Sequence, residues 1–178
     1  MDILAGSTNY IAQFIQKEYP NDIKFDTSKI NIVSFDIEVD ISNGYPNMTT
    51  AEQEITSIAY KSSKSNTYHL LGRKDFNKYD TLLDIDPDDI HFLKFESEAE
   101  LLRRFKHIWQ MDYPDIVTGW NVEYFDIQYL LTRMKNIFGE EWVKDLSPWR
   151  NINQTGREFY GKMQHTYKID GISIVDYM

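Results

Sequence analysis

Cysteine is absent from the 178 residues, which excludes a disulfide scaffold, a thiolate nucleophile, an iron–sulfur cluster and every zinc site built on Cys. No apolar run is long enough to cross a bilayer, and the first twenty residues lack the basic start and continuous apolar stretch of a secretory leader. Membrane and secretory readings drop out. The Asn-x-Thr triplets at Asn47 and Asn153 are accordingly read as chance matches in an intracellular chain. Positive charge is also scarce, since 19 Lys and Arg face 28 Asp and Glu for a formal charge of −9. The chain thus fails the simplest test for a nucleic-acid binder, a strongly basic domain. It remains compatible with phosphate chemistry conducted through divalent cations, because bound metal reverses the local sign of the charge.

Core material is plentiful. With 42% hydrophobic and 15% aromatic residues, the chain can bury enough surface to fold, and its length suits one domain. Met1 to Ser28 carries a weakly helical patch (Tyr10, Ile11, Phe14, Ile15) followed by the breakers Tyr19-Pro20-Asn21-Asp22, and is read as a lead-in segment. From Ile30 the pattern changes. Ile32, Val33, Phe35, Ile37 and Val39 alternate with Ser34, Asp36, Glu38 and Asp40, which predicts a strand closed by Asn43-Gly44. Further strands are expected over Glu54 to Lys61, Asn66 to Gly72, Ile90 to Phe95 and Asp115 to Trp120. Ser97-x-x-Glu100 is a capping box ahead of an amphipathic helix (Leu101, Leu102, Phe105, Ile108, Trp109) whose polar side takes Lys106 and His107. Asp126 opens a second helix, with Ile127, Leu130, Leu131, Met134, Ile137 and Phe138 on one face and Gly139 as the stop. Arg157 to Lys168 predicts a hairpin about Tyr160-Gly161-Lys162, and Ile172 to Met178 starts a last strand or helix. Strands followed by helix, strand and helix predict an α/β layer fold with a mixed sheet.

Chemistry enters with Phe35-Asp36-Ile37-Glu38. Residues two apart on a strand share a face, so Asp36 and Glu38 present two carboxylates about 6 to 7 Å apart. In an apolar strand that pairing calls for a counter-charge, and a hard divalent cation is the natural one. An isolated Asp-x-Glu equally describes a strand whose polar face simply meets water. Asp126, at the junction of a buried-looking strand and a helix, reads as an N-cap, as a further acid of the site, or as both. The other acidic and basic clusters carry less. Asp84-x-Asp86-x-Asp88 imitates a calcium loop, but Asp89 stands where Gly is needed and Phe95 where a bidentate Glu belongs, so it is read as a solvated loop. His69, His91, His107 and His165 show no ligand spacing, and Arg103-Arg104 is read as a solvent-facing pair.

Phe35-Asp36-Ile37-Glu38, followed about eighty residues later by Gly119-Trp120-Asn121-x-x-x-Phe125-Asp126-Ile127, resembles the first and second exonuclease blocks of family B DNA polymerases, members of the ribonuclease-H-like DEDD group. Ile137-Phe138-Gly139-Glu140, Leu146-Ser147-Pro148, the Tyr160-Gly161 hairpin and Gly171-Ile172-Ser173 extend the resemblance to T-even-type phage replicative polymerases. The resemblance implies a ribonuclease-H-like mixed sheet flanked by helices with a β-hairpin insertion, over residues 29–178. It implies a proofreading 3′–5′ exodeoxyribonuclease in which Asp36, Glu38 and Asp126 hold two Mg²⁺ or Mn²⁺ ions. Asn121 and Phe125 match residues that support the second block, and Tyr45 matches an aromatic that packs on a terminal base, although it reads equally as an ordinary turn aromatic. Partners implied are the single-stranded 3′ end of a DNA primer and the remainder of a polymerase, in the cytoplasm of an infected bacterium.

One block is missing. None of the 12 tyrosines is followed four residues later by Asp, whereas the third block of the family is Tyr-x-x-x-Asp, whose Asp completes the metal site. Asp170 and Asp176 are the nearest substitutes. The expectation is an exonuclease domain truncated before its last catalytic block and inactive or slow by itself. A free-standing DEDD exonuclease acting on DNA or RNA ends, or a non-catalytic DNA-binding module, remain as alternatives.

Overall fold

The alternation over residues 32–39 gives a strand that is apolar on one side only, and the rest of the fold is built on that side. The computed structural model describes residues 10–22, 24, 26–80, 84–159 and 162–177. Strand β1 (Ile32–Val39) buries Val33, Phe35 and Ile37 and leaves Ile32, Ser34, Asp36 and Glu38 on the opposite, exposed face. It is flanked by β2 (Ile55–Ser62), β3 (Tyr68–Gly72), β4 (Ile90–Lys94), β5 (Ile116–Gly119) and β8 (Ser173–Asp176) in one six-stranded sheet of order β4-β3-β2-β1-β5-β8. The first three strands form an antiparallel meander, while β4, β5 and β8 each run parallel to their inner neighbour. Parallel pairing needs crossovers; helices lie on the way to β5 and β8, whereas β3 passes to β4 through residues 73–89.

Helix α2 (Glu98–Met111) and helix α3 (Ile127–Phe138) cover the apolar face. Phe35 meets Phe105 at a centroid distance of 5.4 Å, and Trp109 closes the cluster at 6.4 Å from Phe35 and 5.5 Å from Phe105. Each such side chain contributes about 1.5 to 3 kcal/mol by leaving water. The two helices are tied to each other and to the sheet by one buried ion pair. Arg133 of α3 grips Glu98 of α2 through Nε and Nη2, at 2.9 and 2.7 Å, while the same carboxylate accepts the Ile55 N–H at 2.8 Å. A short helix α4 (Glu140–Val143) follows Gly139, whose φ of 87° lets the chain leave α3. Helix α1 (Tyr10–Glu18) has no buried residue.

Several local expectations need correction. Ser97 Oγ does accept the Glu100 N–H, at 3.3 Å. Lys106, however, is not on a polar side: it is buried, with Nζ 2.8 Å from Asp145 and 3.8 Å above the Trp142 ring. Its ammonium is sheltered because a carboxylate and an aromatic face replace water. Arg103 is exposed as expected, with its guanidinium 5.0 Å over the Phe138 ring, whereas Arg104 is only half-exposed. The hairpin is longer than predicted, with β6 (Ile152–Phe159) against β7 (Lys162–Ile169), and its base is held by buried Tyr167 and Ile169. Its Tyr160-Gly161 turn lies outside the described residues. The acidic loop ends in a 3-10 turn (Pro87–Asp89) capped by Asp86.

Candidate functional site

Asp36 and Glu38 stand where the period-2 rule puts them, side by side on the exposed face of β1. What the sequence leaves open is how Asp126 reaches them. The strand lengths decide it. Pairing of β1 with β5 covers only Ile32↔Ile116 to Ser34↔Thr118, so beyond Ser34 this edge of β1 has no strand partner. The Ile37 N–H, which belongs to the peptide joining Asp36 to Ile37, would be an orphan there. Asp126 Oδ1 accepts it at 2.9 Å.

Asp126 is therefore no N-cap. Its φ and ψ of −60° and −54° are helical, and its side chain makes no capping bond, whereas an N-cap needs extended backbone. A π-helical turn (Val122–Asp126) precedes α3 and carries Asp126 inward until it is 3% exposed. Wide turns of this kind are rare and often sit at functional sites. The turn is entered through Asn121 in the left-handed region, φ 55°, and through Gly119, where a Cβ would lie 2.7 Å from the Phe35 carbonyl oxygen. Only glycine lets β5 end this close to β1, which gives the Gly-Trp-Asn motif a packing reason. Asn121 and Phe125 sit at the start and near the end of the turn. Phe125 is half-buried and stacks on Tyr129 at 5.9 Å.

Burial and like charge act together on this group. Loss of hydration, followed by the neighbouring Asp36 and Asp176 charges, pushes the Asp126 carboxyl up to about 7, against the downward pull of the Ile37 N–H. Desolvation also raises Asp36. Among the described residues no group of three or more Asp, Glu or His side chains is placed so that it could hold a metal ion. Asp126 lies at the Ile37 N–H and within electrostatic reach of Asp36, and both acids are held above their usual range, chiefly by loss of hydration. Carboxylate oxygens of this kind suit a hard divalent cation, whose charge favours their ionised form.

Beside Asp36 the uncovered face of the sheet forms a cleft of about 650 Å³, rimmed by Tyr68, Phe76, Ile90, Trp120 and Tyr177. Trp120 and Tyr177 meet edge to face at 6.1 Å. Tyr45 lies in the loop after β1 and is 86% exposed, and among the described residues no ring packs on it. Sequence reasoning missed the Glu98–Arg133 pair and the contact of His69 with His91 on adjacent strands, centroids 5.6 Å apart. No spacing rule could have found them, because the partners meet only through the sheet and helix packing. Asp170 is remote from Asp126 in role. It pairs with Lys168 at 2.9 Å and helps close the hairpin base.

A family model described as DNA polymerase family B, exonuclease domain, matches residues 7–178. The DNA-directed DNA polymerase of Escherichia phage RB69 is 32% identical over 192 residues, covering 97% of this chain and 21% of that protein. The DNA-directed DNA polymerase of Enterobacteria phage T4 is 28% identical with the same coverage, and the DNA polymerase catalytic subunit of Human herpesvirus 7 is 34% identical over 108 residues, 61% of this chain and 10% of that protein. The chain thus spans about a fifth of the length of the two phage relatives. Among the described residues no helix is long and apolar enough to cross a membrane. A match over nearly the whole chain, on a mixed sheet of ribonuclease-H-like form, means that the chain belongs to the exonuclease domain family of family B DNA polymerases.

Proposed function

We propose that residues 29–178 carry most of a 3′–5′ proofreading exonuclease site that removes the terminal nucleotide of a single-stranded DNA primer end, as part of a phage-type polymerase working in the cytoplasm of an infected bacterium. Residues 1–28 act as a lead-in to this unit. The observation that supports the reading best is the Asp126–Ile37 hydrogen bond, which ties a buried acid of the π-helical turn to the backbone between Asp36 and Glu38.

Membership of this family implies a divalent metal in general terms, and Mg²⁺ or Mn²⁺ suits an all-oxygen donor set. When bound, two such ions activate a water and stabilise the leaving 3′ oxygen. The residues of this chain have separate tasks around that chemistry. Asp36, Glu38 and Asp126 hold the ions and, through them, the scissile phosphate, which an acidic domain would otherwise repel. Asp126 does so only in its ionised form, so metal and proton compete for it. Tyr45 stacks on a terminal base, and the cleft beside Asp36 gives a nucleoside room to leave the duplex. Asn121 and Phe125 support the turn beneath Asp126.

This chain holds no Tyr-x-x-x-Asp, so binding should outlast cleavage. The test is degradation of a 3′-labelled single strand in Mg²⁺ or Mn²⁺, with and without a polypeptide that supplies the missing block. Metal-dependent release of nucleoside monophosphates from the 3′ end, faster with the supplement and on single strands than on duplex, is expected. Equal DNA binding in EDTA and in metal, with no cleavage in either mixture, would favour a binding module instead.

A further inference from the structure

We propose that Asp176 is a positioning residue, which caps the π-helical turn from the neighbouring strand and thereby sets where Asp126 meets β1. The inference rests on the reading of Asp126 as a metal-holding acid. A helix start leaves backbone N–H groups without partners, normally satisfied by a side chain just ahead of it. Here the residue ahead, Asn121, makes no side-chain cap. The cap comes instead from more than fifty residues away: Asp176 Oδ1 accepts the Asn121 N–H at 3.0 Å and Oδ2 accepts the Glu123 N–H at 3.1 Å.

The sheet delivers Asp176 to that spot. Strand β8 pairs with β5 so that Asp176 lies opposite Gly119, the last residue of β5, and Thr118 Oγ1 donates to the Val175 carbonyl at 2.8 Å. The two carboxylate oxygens therefore fix the turn against the end of β5, at both the left-handed Asn121 and the first part of the turn. An ionised acceptor makes the stronger kind of hydrogen bond, and a negative charge is favoured at a helix N-terminus. Three residues beyond Glu123, Asp126 is held against Ile37 by a single hydrogen bond. A turn that slid or relaxed would withdraw the acid from the edge of β1, while the sheet and α3 could remain folded. With each oxygen engaged by a backbone N–H, Asp176 is placed to act through the turn.

The experiment uses the 178-residue chain and two variants, Asp176→Ala and the isosteric Asp176→Asn, which keeps one carbonyl acceptor. Two readouts are taken: the chemical shift of the Ile37 amide without metal, and Mn²⁺ affinity and stoichiometry by electron paramagnetic resonance. In Asp176→Ala the Ile37 amide should move, and Mn²⁺ should bind about 10- to 100-fold more weakly at unchanged stoichiometry. Asp176→Asn should fall between that variant and the parent. Should Asp176→Ala fail to fold, Asp176→Asn decides, since it preserves size. An unmoved Ile37 amide with unchanged affinity in a folded variant overturns the proposal, and so does loss of one bound ion with Ile37 unmoved, which would make Asp176 a ligand. If the parent chain binds no Mn²⁺, the metal reading fails while the Ile37 amide still decides the positioning role.

Discussion

The Asp126 carboxylate accepts the backbone N–H of Ile37 at 2.9 Å, and through this one bond the second exonuclease block is fastened to the first. The bond exists because β5 stops short of β1, leaving an N–H that no strand takes up. A buried acid at an interrupted sheet edge serves two ends, satisfying the orphan donor and adding negative charge beside Asp36. Burial there, with Asp36 and Asp176 nearby, pushes its carboxyl up to about 7.

Removing the acids should separate their contributions. Asp36→Asn is expected to abolish Mn²⁺ binding measured by calorimetry, because the first-block Asp matches the position shared by both ions in the family. Asp126→Asn keeps an acceptor for the Ile37 N–H and should lose less, leaving weakened binding. Undiminished Mn²⁺ binding in Asp36→Asn would remove β1 from the site.

Stability should depend on pH in a direction set by Asp126. Its folded pKa, about 7, lies above the ordinary value of 3.8, so the native state holds the proton more tightly than the unfolded chain. Stability from this group is fully present below about pH 4 and is lost as pH rises through 7. The term is on the order of a few kcal/mol. His69, whose pKa is lowered by burial and by nearby His91 and Arg104, works in the opposite sense near its own range. The difference in urea midpoint between the parent and Asp126→Asn isolates the carboxylate. In EDTA the variant should gain on the parent as pH rises from 4 to 8, and with Mn²⁺ present the order should reverse. A pH-independent difference would show that Asp126 titrates normally.

Single-strand binding should need metal and an aromatic. In EDTA an acidic domain should bind an oligonucleotide weakly, and Mn²⁺ should rescue it. Tyr45→Ala is expected to weaken the rescued binding by about 1 to 3 kcal/mol, the value of one stacked base, read by fluorescence anisotropy. No change would return Tyr45 to an ordinary loop aromatic.

The buried pair of Arg133 and Glu98 should matter for folding and not for metal. Arg133→Met strips the partner from a carboxylate whose side chain is only 9% exposed, and leaving such a charge uncompensated costs about 3 to 5 kcal/mol. A double variant with Glu98→Gln should recover part of the loss in urea unfolding. A single variant as stable as the parent would mean that Glu98 finds water or the Ile55 N–H sufficient.

Much of this protein was legible in one dimension. Alternation over Ile32 to Asp40 and helical spacing after Ser97 and Asp126 predict the elements of the core, because burial on one face imposes a period of two or 3.6 whatever the partner. The carboxylates of Asp36 and Glu38 share a face for the same reason, and the family resemblance is carried by contiguous motifs. The tertiary structure alone decided the rest. Whether Asp126 caps a helix or serves as an acid beside β1 was decided by the unequal lengths of β1 and β5, which expose the Ile37 N–H, and Lys106 leaves the polar side because Trp142 and Asp145 close over it. Glu98 with Arg133, and Asp176 with Asn121 and Glu123, are separated by 35 to 55 residues. Such partners are chosen by which backbone and charged groups the packed sheet and helices leave unsatisfied, and no local period records that.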